Sequence, residues 1–84
     1  MTRLWPQGLP VTVQTDASGL PACLIWDHQP HPIAHIANRW RLAWGWWRWP
    51  VQRDVFKVVT ATGLLLDIYR DQLTDEWYVQ RLYD

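Results

Sequence analysis

Cys23, Asp27, His28, His31 and His35 stand close together and are all metal-ligating residue types. Zinc requires donors that converge at about 2.0–2.3 Å. On a strand, His31 and His35 would share a face yet stand roughly 13 Å apart at 3.3 Å per residue. A helix would bring them together, but Pro32 lies between them and is tolerated only in a first turn. The pattern predicts loop and surface histidines and no metal site. Nucleophilic chemistry fares no better. Ser18 is the only serine and sits in turn chemistry, and no motif marks a base or an orienting acid for it. Cys23 alternates away from Leu24 and reads as a small filler of the interior. Asp71 and Asp75 fall in a polar turn where solvated carboxylates are expected, and no glycine-rich phosphate loop is present. The expectation is a protein with no catalytic residues and no cofactor.

The informative run is Arg39-Trp40-Arg41-Leu42-Ala43-Trp44-Gly45-Trp46-Trp47-Arg48-Trp49-Pro50-Val51-Gln52-Arg53. It holds five of the eight tryptophans and four arginines, with no acidic residue before Asp54. Three roles fit it. Arg and Trp dominate protein–protein hot spots because they combine large area with directional donors. The same pair can stack and clamp single-stranded nucleic acid. In the third, the indoles cap an open end of the fold, with arginine stems lying over them. A large exposed apolar patch on an idle monomer would be unusual, which favours an interface. The candidate partner-binding residues are Arg39, Arg41, Trp44, Trp46, Trp47, Arg48, Trp49 and Arg53. The expected partner is a protein; single-stranded nucleic acid on the same surface is the alternative, and a homodimer whose tryptophans meet across its axis is the third.

These residues must be positioned by strands. Residues 1–10 contain Pro6, Gly8 and Pro10 and read as an irregular arm before a single β domain over 11–84. Val11 to Thr15 alternates, Asp16-Ala17-Ser18-Gly19 turns, and Leu20 to Asp27 returns as a second strand. His28 to Pro32 reads as a loop. Ile33 to Trp44 allows a helix through Ile33, Ile36, Ala37 and Trp40, but the flanking prolines favour a long bent strand. Gly45 to Arg53 reads as a loop or edge segment. Asp54 to Thr60, Leu64 to Arg70 and Trp77 to Tyr83 form consecutive hairpins, with Asp75 at a left-handed turn position that usually carries glycine. The expected fold is mainly β, an antiparallel meander of five or six strands rolled into a barrel-like sheet.

The chain of 84 residues suffices for one domain. Eight basic residues balance eight acidic ones, so a general nucleic-acid-binding field is absent. One cysteine excludes an internal disulfide and suits a reducing compartment. The N-terminal residues lack a signal-peptide apolar run, and no stretch approaches the roughly 18 apolar residues of a membrane span. A soluble cytoplasmic protein is expected.

Residues 39–84 resemble a small domain that also closes ImuB-type proteins, relatives of the Y-family DNA polymerases. The likeness lies in Gly45-Trp46-Trp47, Arg53-Asp54-Val55-Phe56-Lys57-Val58 with Thr60, Tyr69-Arg70-Asp71 with Thr74, Trp77-Tyr78 and Tyr83-Asp84. It is weaker over the hairpin at 11–26. The resemblance implies a non-catalytic adaptor in error-prone translesion synthesis, with a DNA polymerase or repair factor as its partner. Asp75, where the family turn often has glycine, and Trp49-Pro50 after the tryptophan pair depart from the pattern.

Overall fold

Six antiparallel strands run in chain order: β1 (Arg3–Thr15), β2 (Pro21–Trp26), β3 (Gln29–Trp46), β4 (Trp49–Thr60), β5 (Leu65–Asp71) and β6 (Glu76–Tyr83). The computed structural model describes residues 2–46 and 49–83; for 44–46, 49 and 50 it describes the backbone alone. Each strand pairs with its neighbour in sequence, and β1 returns to β6, so the meander closes into a ring. This matches the rolled sheet that the hairpin spacing predicts.

Turn chemistry sets the corners. Asp16 Oδ1 accepts the Ser18 and Leu20 amides at 2.8 and 3.0 Å, an aspartate holding its own turn. Asp27 and His28 both have positive φ, 55° and 64°, as a two-residue type I′ hairpin requires. The predicted loop at 28–32 is therefore only this tight turn, and β3 begins at Gln29. Asp75 sits at φ 62°, the left-handed position read from the sequence.

The interior comes from one face of each strand. Leu24, Phe56, Val58, Leu66, Ile68, Trp77 and Val79 form the buried cluster, with Phe56 and Trp77 rings 5.6 Å apart. β4, β5 and β6 alternate with period two, so Phe56 and Val58, Leu66 and Ile68, and Trp77 and Val79 meet inside.

The segment expected to be an irregular arm is ordered from Arg3 as the first half of β1. Arg3 and Leu4 pair with Leu82 and Arg81, and Leu9, Pro10 and Val11 pair with Val79, Tyr78 and Trp77. Pro6 and Gly8 leave their mark as the register break between Leu4 and Leu9. There the chain turns onto the outer face of the sheet. Tyr69, fully buried although it faces outward, stacks on Tyr78 with ring centres 5.1 Å apart and donates its hydroxyl to the Gln7 carbonyl. Ring closure overrides the local proline and glycine signals.

β3 is a strand throughout, bent by register shifts between Ile33 and His35 and between Ile36 and Asn38. The first of these bulges lets Ile33 and Ile36, three residues apart, both pack against the core. Of the loop or edge segment expected at 45–53, the described residues form the edge: Trp44 pairs with Val51, Gly45 with Pro50 and Trp46 with Trp49. Because β5 pairs with β4 only as far as Arg53, the end of the β3–β4 hairpin extends past the ring as a two-stranded ribbon.

Candidate interaction site

In an antiparallel ladder, residues directly opposite each other share a face. Arg39 lies opposite Phe56 and Arg41 opposite Asp54, so both arginines continue the interior face of the sheet. The Arg39 guanidinium lies over the Phe56 ring, 5.3 Å from its centre. Arg41 Nε donates to Asp54 Oδ1 at 2.8 Å, and Gln72 Nε2 donates to Asp54 Oδ2 at 2.8 Å. Asp54 is 6% exposed and both its oxygens are bonded, so a buried carboxylate anchors Arg41 while most of the Arg41 side chain stays in water. Arg70 Nε reaches Asp75 Oδ1 at 2.6 Å across the last turn. Arg39 has no carboxylate partner among the described residues.

These groups line a cavity of about 320 Å³ together with Phe56 and Trp77 and with Ser18, Gly19 and Leu20. It exists because β2 is short. β2 pairs with β3 only from Gln29 to Pro32. Beyond Pro32, β3 has β4 on one side and no strand on the other among the described residues.

Arg53 is placed elsewhere. It lies opposite Leu42, on the outer face, with its guanidinium 4.4 Å from the Tyr69 ring centre. Its Nε is buried without a hydrogen-bond partner among the described residues. The structure thus brings Arg39 and Arg41 together and separates Arg53 from them by the thickness of the sheet. The backbone of Trp44, Trp46 and Trp49 lies in the projecting ladder; their side chains, and Trp47 and Arg48 entirely, lie outside the described residues. Asp54, Phe56, Gln72 and Trp77 complete the site and were not among its sequence candidates.

Burial raises the pKa of Tyr69 above 10.0; the nearby Arg53 charge opposes the shift and Asp71 adds to it. The Tyr78 pKa is raised too, chiefly because its hydroxyl donates to Glu76 at 2.9 Å. Below pH 10 both phenols are neutral whether folded or unfolded, and their full contribution is present. Above it the unfolded chain ionises first and stability falls. The urea midpoint should therefore decline as the pH rises above about 10, and less steeply in Tyr69→Phe. An equal decline in that variant would show that Tyr69 is not the buried phenol.

The histidines do not converge. His31 Nδ1 bonds Thr62 Oγ1 at 2.8 Å, and among the described residues no three His, Cys, Asp or Glu side chains form a group able to hold a metal. Cys23 is half-buried. Among the described residues no helix is long and apolar enough to cross a membrane. No family model, no curated protein and no solved structure matches the chain.

Proposed function

We propose that this chain is a non-catalytic interaction module that receives a protein partner on the β3–β4 hairpin. The observation that carries this reading is the course of β3. From Ile33 to Trp46 it is paired on one side only, and its end leaves the ring altogether. An isolated two-stranded ribbon is marginal in water, and an unpaired strand edge is a template for another chain. The same stretch carries the Arg and Trp residues that anchor protein interfaces.

Of the three described arginines of the run, Arg41 is paired with Asp54, and Arg53 lies on the opposite face of the sheet from Arg39. That favours a protein over the single-stranded nucleic acid that would need several free guanidinium groups on phosphates. The resemblance of residues 39–84 to the ImuB-type domain supports a DNA polymerase or repair factor as the partner. The single cysteine fits a cytoplasmic setting.

The test is comparative capture from the native organism with wild-type protein and with Trp46→Ala/Trp47→Ala. The variant is expected to keep its circular dichroism and melting temperature and to lose the proteins that wild type retains. Unchanged capture would sink the hairpin reading. So would loss of the β fold, since the indoles would then be core.

A further inference from the structure

We infer that the open edge of β3 takes an extended peptide as an added strand, and that this peptide alternates acidic and apolar residues. The inference rests on the interaction-module reading above and names the chemistry of its partner.

The backbone defines the first half of the argument. Register shifts interrupt β3 before Asn38, and such bulges blunt an edge against further pairing. From Asn38 to Trp46 the ladder with β4 is uninterrupted. This stretch carries neither lysine nor proline, two devices that commonly protect an edge. The Arg39 amide points away from β4, since it is taken up by the side-chain oxygen of Asn38 at 2.8 Å. Alternation along an antiparallel strand then turns the Arg41 and Ala43 amides the same way. These donors are what an added strand would bond.

Side chains supply the second half. Residues of an added strand opposite Arg39 and Arg41 fall on the interior face, above the cavity of about 320 Å³ between β3 and Ser18-Gly19. That cavity presents the Arg39 guanidinium, free of any carboxylate among the described residues, and the Arg41 guanidinium, bonded through Nε to Asp54. A carboxylate entering there is complementary to both. The alternate residues of the peptide fall on the outer face beside Trp40 and Leu42, which are half-buried. An acidic residue at every second position, apolar residues between, is the pattern that satisfies both faces. A second copy of this chain is a poor occupant, because the stretch from Arg39 to Arg53 holds arginines and no acid.

The probe is a fluorescein-labelled nonapeptide that alternates glutamate and valine, read by anisotropy against the full chain. Its control has the same composition with the glutamates and valines in separate blocks. The alternating peptide should bind at least about tenfold more tightly than the block peptide. Arg39→Glu, at an exposed residue with no carboxylate partner to lose, should weaken it at least about tenfold. Ala43→Pro deletes an edge donor without touching a charge and should weaken it by a similar factor, about tenfold. Amide exchange at Arg41 and Ala43 should slow when peptide is bound.

Equal affinity for both peptides, or binding indifferent to Ala43→Pro, would show simple charge attraction and overturn the added strand. So would binding of oligothymidylate in place of the peptide, or a stable dimer by light scattering. If the peptide fails while Trp46→Ala/Trp47→Ala still loses its lysate partners, the edge proposal falls and the module reading stands. If the peptide binds as expected and that variant keeps its partners, the edge is a peptide site and the hairpin-tip reading falls.

Discussion

Gly8→Ala is expected to lower stability by about 2–4 kcal/mol, about a third of what a chain of this length holds at roughly 0.05–0.15 kcal/mol per residue. Two costs add. Gly8 has φ +82°, a region that costs an L-residue with a Cβ about 1–2 kcal/mol. A Cβ there would also run into the Tyr69 hydroxyl and the Tyr78 Cβ. The first obstacle belongs to a buried ring bonded to the Gln7 carbonyl, and the second is fixed to the β6 backbone. The register break in β1 cannot slide away, because Leu4 and Leu9 are held by Arg81 and Val79 on either side of it. The melting temperature should fall by about 10–25 °C. Adding Tyr69→Phe should restore part of the loss by removing the hydroxyl, and leave the backbone share. A Gly8→Ala protein that melts with wild type would show that the chain does not cross the outer face at this point.

Phe56→Ala is expected to cost about 3–5 kcal/mol. Phe56 is 2% exposed, packs against Trp77 and lies beneath the Arg39 guanidinium. Truncation therefore opens a cavity in the centre of β4 and removes the platform of a site residue at once. Phe56→Leu, which keeps most of the volume, should cost about 1.5 kcal/mol and leave the ring closed. In that variant Arg39 loses its aromatic face, worth about 0.5–1 kcal/mol, and should hold an acidic ligand less firmly. Urea titration separates the two variants: the midpoint falls in both, and the slope should hold in Phe56→Leu. A Phe56→Ala protein with an unchanged midpoint would mean that this ring is not part of the core.

Much of the strand pattern was legible. The hairpins of the C-terminal third follow from period-two runs broken by Gly63 and by Asp75, whose side chain tolerates the left-handed region it occupies. The long bent strand through Ile33 to Trp44 was legible as well, and its bends are bulges. Two readings went astray for one shared reason. Residues 3–10 and 29–32 carry Pro6, Pro10, Pro30 and Pro32, which locally read as breaks. Each segment is nevertheless ladder. Pro10 is held opposite Tyr78, far along the chain, and Pro30 and Pro32 are held opposite Ile25 and Cys23. Local propensity yields to pairing wherever a neighbouring strand is in place.

The site was half legible. The bias of residues 39–53 toward Arg and Trp stands out in the sequence, yet nothing in it says that Arg53 parts company with Arg39 and Arg41. One signal was available. Arg41 and Asp54 are equidistant from the midpoint between Trp46 and Trp49, as are Arg39 and Phe56. Reading that stretch as a tight hairpin would have named both partners in advance.

By itself, then, the sequence settled the β class, the turns at Asp16–Gly19, Ala61–Gly63 and around Asp75, and the aromatic, cationic character of one stretch. Those depend on side-chain period and on backbone preferences of single residues, which are local. Tertiary structure alone decided that β1 closes the ring on β6, that β2 stops short, and on which face each arginine lies. These depend on register between distant strands, and a slip of one residue would exchange the two faces.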